Sequence, residues 1–147
     1  MVIEQLQNKI VFLDTAPLIY FIEGHSVFQQ QLRKLFLLND QNYFKFLTST
    51  ITLLEILVKP LRAGDLKVVE NYKTILTNST GITIFVINNS IAFKAAEIRA
   101  KYNIHTPDAL QIATSIEWKA DYFLTNDFRL KAIKELKIIT PQELELI

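Results

Sequence analysis

A chain of 147 residues that is 50% hydrophobic and 21% charged carries enough apolar side chains for one buried core, and too many for a disordered polymer. With 16 basic against 15 acidic residues, the net charge of +1 excludes a protein that coats polyanions through bulk charge; any nucleic-acid contact must come from local segregation of charge. The absence of cysteine removes disulfides, thiolate nucleophiles and zinc-thiolate sites together, and fits a reducing cytoplasm.

The first residues, Met1 to Leu6, lack a basic stretch followed by a long apolar run, and no segment approaches 18 uninterrupted apolar residues, so a cytoplasmic protein without membrane spans is expected. Ile10-Val11-Phe12-Leu13 is too short for a helix and rich in strand formers; it reads as a strand buried on both faces that ends at Asp14. Thr15-Ala16-Pro17 opens a helix through about Glu23, closed by Gly24. A second helix, about Ser26 to Leu38, places Phe28, Leu32, Leu35 and Phe36 at helical spacing. Tyr43 to Thr48 reads as a strand, and Ser49 or Thr50 caps a helix that Pro60 is expected to end. Glu55 interrupts the apolar residues of that helix. A helix from about Asp65 to Leu76, a strand over Ile82 to Val86 and a helix from Asn88 to Lys101 follow.

Thr106-Pro107-Asp108 has the chemistry of a helix start, with Thr106 as cap and Pro107 first in the helix, and Ala109, Ile112, Ala113 and Ile116 form a buried stripe. Tyr122-Phe123-Leu124 is a fourth strand, Asp127 opens a short helix, and Leu136 to Ile139 is a fifth strand. Strands alternating with helices predict a single α/β domain over residues 1–147, with about five parallel strands flanked by helices. No repeat, linker or low-complexity tract divides it. Ligands of such sheets gather outside the carboxyl ends of the strands, where Asp14, Asp108 and Asp127 can meet and Glu55 can join them from its helix.

Each acid alone has an ordinary reading. Asp14 and Asp127 suit helix caps, Asp108 complements a helix dipole, and Glu55 can share a solvent stripe with Thr52 and Lys59. His25 and His105 show no metal-ligand spacing and receive no role. The broad apolar faces around Leu18 to Phe21 and Leu35 to Leu38 suit core on one side, with an added protein interface as the alternative. If the four carboxylates do converge, pairs about 4 Å apart repel by roughly 4 kcal/mol at an effective dielectric near 20, so the cluster must protonate or bind a cation. Oxygen donors alone suit a hard ion such as Mg²⁺ or Mn²⁺. Neutralising all four would leave 16 basic groups against 11 acidic ones, a surface better suited to a phosphodiester.

Val11-Phe12-Leu13-Asp14-Thr15, Thr52-Leu53-Leu54-Glu55-Ile56-Leu57, Thr106 through Thr114 and Phe123-Leu124-Thr125-Asn126-Asp127 together resemble the PIN-domain ribonucleases, and VapC-type toxins among them, across nearly the whole chain. The resemblance implies a Rossmann-like sheet, an Mg²⁺ or Mn²⁺ site of one or two ions, endonucleolytic cleavage of RNA, a cognate VapB-type antitoxin and a homodimer. By position, Asp14, Glu55, Asp108 and Asp127 match the acidic quartet. Asp14 and Asp108 are the foremost metal ligands and Asp127 a third, while Thr15, Thr125 and Asn126 match supporting polar positions. The implied chemistry is metal-assisted phosphodiester hydrolysis, in which the metal's charge offsets negative charge developing on the phosphoryl oxygens.

Lys59, Arg62, Lys94, Arg99 and Arg129 are candidate phosphate contacts, each with a solvated-face alternative. A phosphoaspartyl phosphatase would want a second aspartate where Ala16 stands, and neither G-x-G-x-x-G nor G-x-x-x-x-G-K-[ST] occurs. The remaining alternatives are a non-catalytic, metal-stabilised module that binds RNA or protein, and a nuclease that acts on DNA.

Overall fold

Val11, Phe12 and Leu13 are fully buried, which a strand achieves only when both faces and both edges are covered. They form β1 (Ile10–Leu13), the middle strand of five. With β2 (Lys45–Ser49), β3 (Ile82–Phe85), β4 (Tyr122–Leu124) and β5 (Lys137–Ile139), the order across the sheet is β3, β2, β1, β4, β5, and every neighbouring pair is parallel. The computed structural model describes residues 1–24 and 27–145.

Parallel neighbours need crossover helices. These are α1 (Thr15–Glu23), α2 (Gln29–Asp40), α3 (Thr50–Arg62), α4 (Leu66–Asn78), α5 (Asn89–Tyr102) and α6 (Thr106–Glu117). Alternation along the strands decides which layer each side chain joins. Val11, Leu13, Phe46 and Leu124 pack with Leu18, Leu32, Leu35, Ile56 and Leu76 from α1 to α4. Phe12, Leu47 and Phe123 face the other way, onto Ile91, Ala95 and Ile98 of α5 and Ala109, Ile112 and Ala113 of α6. In that second layer Phe12 and Phe123 are register partners, and their rings stack at 5.1 Å with planes 1° apart. Such a pair is worth about 0.5 to 1.5 kcal/mol beyond its buried area.

The order places the topological switch between β1 and β4, because the chain leaves β1 toward β2 and β3 and returns to β4 and β5 on the other side. That is where a crevice opens at the carboxyl ends. The single α/β domain with a five-stranded parallel sheet is therefore as the sequence predicts, and among the described residues no helix is long and apolar enough to cross a membrane.

Several boundaries differ from the pattern-based ones. Pro60 lies inside α3 rather than at its end, since in the last turn it forfeits one amide bond while its ring is buried and the Ala63 N–H still reaches the Lys59 carbonyl at 3.1 Å. His105, not Thr106, is the residue before α6, so Pro107 is second in the helix. α2 begins at Gln29 and runs to Asp40, with His25 and Ser26 outside the described residues. β2 starts at Lys45, two residues after Tyr43, and the short helix after Asp127 is a 3-10 turn over Phe128–Ala132. Of the predicted α6 stripe, Ile116 is only partly buried.

Phe123→Ala should destabilise the domain by about 3 to 5 kcal/mol, the usual cost of deleting a buried ring, as read by urea denaturation.

Candidate catalytic centre

Asp14 follows β1 directly. Its backbone N–H donates to the Leu124 carbonyl at 3.0 Å, continuing the β1–β4 pairing one residue past the strand. Its side chain is held from both sides: Oδ1 accepts the Thr15 N–H at 2.9 Å and Oδ2 accepts the Thr125 hydroxyl at 2.8 Å. Thr125, fully buried after β4, also accepts the Asp127 N–H at 3.1 Å. One hydroxyl thus ties the two halves of the switch point together.

Behind Asp14 lies a buried polar network with a fixed direction. Thr48 spends its hydroxyl proton on the Leu13 carbonyl at 2.8 Å, so its 2.8 Å contact with Thr52 must be donated by Thr52. Ser49 accepts the Ile51 N–H at 3.1 Å, which caps α3, and donates to Gln111 Oε1. The Gln111 amide therefore turns Nε2 toward Thr52 at 2.7 Å and Asp14 Oδ1 at 3.5 Å. Thr48, Ser49, Thr52 and Gln111 are all essentially inaccessible to solvent. The expected solvent stripe of Thr52, Glu55 and Lys59 is corrected here, because Thr52 points inward while Glu55 and Lys59 are exposed.

Glu55 reaches the same place from α3 and accepts the Thr15 hydroxyl at 2.8 Å. Asp108 enters from the first turn of α6, and Asp127 precedes the 3-10 turn after β4. An open crevice of about 380 Å³ is lined by all four acids together with Thr15, Thr125 and Asn126. Among the described residues no three carboxylates or histidines stand close enough to make a ready ligand set, so the acids surround the crevice rather than collapse onto one point.

Their electrostatics are unequal. Burial pushes the Asp14 carboxyl up to about 6, with the charges of Asp108 and Glu55 adding to the rise and the Thr125 and Thr15 hydrogen bonds opposing it. Asp108 is also raised, first by burial and then by Asp127 and Glu55, with His105 and Arg129 opposing. Asp127 is lowered, chiefly by its hydrogen bond to Arg129. That guanidinium grips both carboxylate oxygens, Nε to Oδ1 at 3.0 Å and Nη2 to Oδ2 at 2.7 Å.

Of the five basic candidates, Arg129 alone lines a cavity beside the acids. Lys59 pairs with Glu23 at 3.4 Å, Lys94 pairs with Glu97 at 3.4 Å, and Arg62 is exposed at the end of α3. Arg99 instead braces the turn before α6, donating to the Ile104 carbonyl at 2.9 Å and Thr106 Oγ1 at 3.0 Å. Sequence reasoning missed Thr48, Ser49, Thr52 and Gln111 as supports and gave His105 no part, although it sits close enough to favour the charged forms of Asp108 and Asp127. A polar residue in step with a buried stripe, as Gln111 is between Ala109 and Ile112, was the available signal.

The donor set suits a hard divalent ion. The crevice presents carboxylate, hydroxyl and amide oxygens, and the buried Oδ1 of Asn126 has no hydrogen-bond partner. Excess negative charge with spare acceptors is what Mg²⁺ or Mn²⁺ relieves.

A family model described as the PIN domain matches residues 11–136. No curated protein sequence matches the chain. Among solved structures, VapBC2 from Rickettsia felis bound to a DNA fragment from its promoter aligns with a TM-score of 0.73 at 20% identity, over 89% of this chain and 98% of the other. FitAB bound to an IR36 DNA fragment gives 0.74 at 18% identity, over 92% and 98%. VapC20 from Mycobacterium tuberculosis, a sarcin-ricin loop cleaving toxin, gives 0.65 at 15% identity, over 86% and 98%.

Two expectations concern the metal-free protein. Asp14 has a folded pKa near 6 against 3.8 unfolded, so the folded state binds the extra proton; that stability is full below about pH 4 and lost as pH rises through 6. Thermal unfolding should accordingly show up to about 3 kcal/mol lost over that window, and Asp14→Asn should flatten the slope. Thr125→Val keeps the shape but strands the Asp127 N–H and one Asp14 oxygen, costing about 1 to 3 kcal/mol in chemical denaturation.

Proposed function

Because this chain belongs to the PIN domain family, we propose that it is a divalent-metal-dependent endoribonuclease and the toxin of a VapBC-type pair, acting in the cytoplasm. The observation that carries this reading is the crevice itself. Four carboxylates from four separate parts of the chain line one opening at the β1–β4 switch, with the most buried of them, Asp14, held by two hydrogen bonds. A binding surface for RNA alone would gain nothing from that much negative charge.

Asp14, Asp108 and Asp127 would hold Mg²⁺ or Mn²⁺, as one or two ions. When bound, the ion supplies Lewis acidity that lowers the pKa of water and offsets charge developing on the phosphoryl oxygens. Thr15 and Thr125 orient their carboxylate partners so that the lone pairs left free face the crevice, and Asn126 adds a neutral oxygen. Glu55, exposed and steadied through Thr15, would accept a proton from the attacking water. Arg129 is exposed and two residues after Asp127, so it can exchange Asp127 for a substrate phosphate. Lys59, Arg62 and Lys94 are left for backbone contacts farther along an RNA strand, while Arg99 serves the turn before α6.

Leu54, Val58 and Leu61 form an exposed apolar stripe along α3 at helical spacing. It supports a protein partner, and a VapB-type antitoxin together with a homodimer completes the proposal. RNA is favoured over DNA as substrate because one of the aligned toxins is described as cleaving the sarcin-ricin loop.

Incubation of structured RNA with the protein should give mapped internal cuts with Mg²⁺ or Mn²⁺ and none after chelation. Asp14→Asn and Asp108→Asn should each slow cutting by about 10²-fold or more. Failure to cut RNA under any metal condition would sink the nuclease reading, while parental rates in both variants would sink the site assignment. Expression in the native host should recover a small copurifying protein that suppresses cleavage; recovery solely as a free monomer counts against both partners.

A further inference from the structure

Beside the acidic crevice lies a smaller cavity of about 180 Å³, and the two share Asp108 and Asp127 as a common wall. The other walls are of two kinds. Ile104, Leu130 and Tyr102 contribute apolar surface, while Asn103, His105 and the Asp127-paired guanidinium of Arg129 bring hydrogen-bonding groups. The volume lies below the ~300 to 1,000 Å³ of sites for drug-sized ligands, and suits a single ring system.

These walls are set without a ligand. Asn103 closes α5 in the left-handed conformation, φ 53°, with its N–H on the Arg99 carbonyl at 2.9 Å. The Arg99 side chain then clamps Ile104 and Thr106, as described above. Tyr102 donates its hydroxyl to Glu135 at 2.5 Å and accepts the Lys134 N–H at 3.2 Å, which fixes its ring. A pocket already ordered loses little conformational entropy when filled.

The shared carboxylates decide what can enter. With the Arg129 charge taken up by its ion pair to Asp127, the charge of Asp108 disfavours a phosphate in the smaller cavity, while both carboxylates can accept hydrogen bonds from the amino and imino groups of a neutral heterocycle. Splayed RNA bases are read in this way, between apolar walls and a few polar groups at their edges.

We propose that this cavity is a nucleobase subsite, which takes the base of the ribonucleotide whose phosphate lies in the acidic crevice, with Asn103 and His105 selecting the base. The inference rests on the nuclease reading for the position of that phosphate. It makes cleavage preference a property of the turn between α5 and α6, outside the acidic quartet.

The chain has two histidines, His25 and His105, so imidazole NMR signals provide a reporter at the pocket, assigned by the loss of one in His105→Ala. Titrating the full chain in Mg²⁺ with each of the four nucleoside 5′-monophosphates should shift the His105 signal saturably for at least one base. Asn103→Gly removes the amide while suiting the left-handed backbone, and should weaken that binding by about tenfold. In parallel, Mg²⁺-dependent cuts in RNA of randomised sequence should show a base preference on one side of the bond that Asn103→Gly and His105→Ala flatten. No shift with any nucleotide and an unchanged preference in both variants overturn the subsite while leaving the nuclease reading intact. A nucleotide-induced shift in a protein that cuts no RNA supports the pocket and sinks the nuclease reading instead. Shifts produced by N-acetylarginine amide and by none of the nucleotides overturn the inference in favour of a protein side chain.

Discussion

The pairing of β1 with β4 is the constraint on which the rest of the molecule depends. It brings Asp14 and the Thr125-Asn126-Asp127 segment, more than a hundred residues apart in sequence, into hydrogen-bond contact. Phe12 against Phe123 seals that junction from one side of the sheet, and the backbone bond from Asp14 to Leu124 carries it to the rim of the crevice. Without this junction the four acids are isolated helix starts and surface groups. With it they share one opening, and burial of Asp14 among like charges becomes a reason for a cation to bind.

Much of this was legible in the sequence, for physical reasons. A fully apolar run of four ending in an acid, as in Ile10 to Asp14, says that a buried strand delivers a carboxylate to a sheet end, and Tyr122-Phe123-Leu124 does the same for Asp127 with Thr125 and Asn126 between. The strand and helix alternation then fixes a parallel sheet with its ligand edge at the carboxyl ends. The supporting network was hidden for an equally physical reason. Thr48, Ser49, Thr52 and Gln111 come from β2, α3 and α6, and each is ordinary within its own segment. Thr52 sits three residues before Glu55 and so looks like part of one exposed stripe, until packing of α6 shows that its hydroxyl meets Gln111. Basic side chains were less legible still, since their long stems reach toward whichever acid is near. Arg99 found a backbone carbonyl, and Lys59 and Lys94 found glutamates.

The buried network and the exposed ion pair at Asp127 represent two ways of holding an acid. Around Asp14 the donors are neutral, short and enclosed, so the carboxylate keeps its orientation at the expense of a pKa near 6. Around Asp127 the donor is a charged, solvent-facing arginine that can leave. The result is a rigid acid at the floor of the crevice and a releasable one at its rim.

The central position of β1 has a further consequence during synthesis. Ribosomes deliver β1, β2 and β3 first, and these can pair in order as they emerge. The other edge of β1 stays open until residues 122–124 follow, so Asp14 lacks the Thr125 hydroxyl and the crevice has no far wall. A nascent chain therefore holds an incomplete β1–β4 junction for most of its elongation. The late fourth strand thus sets when the four acids come to share one opening.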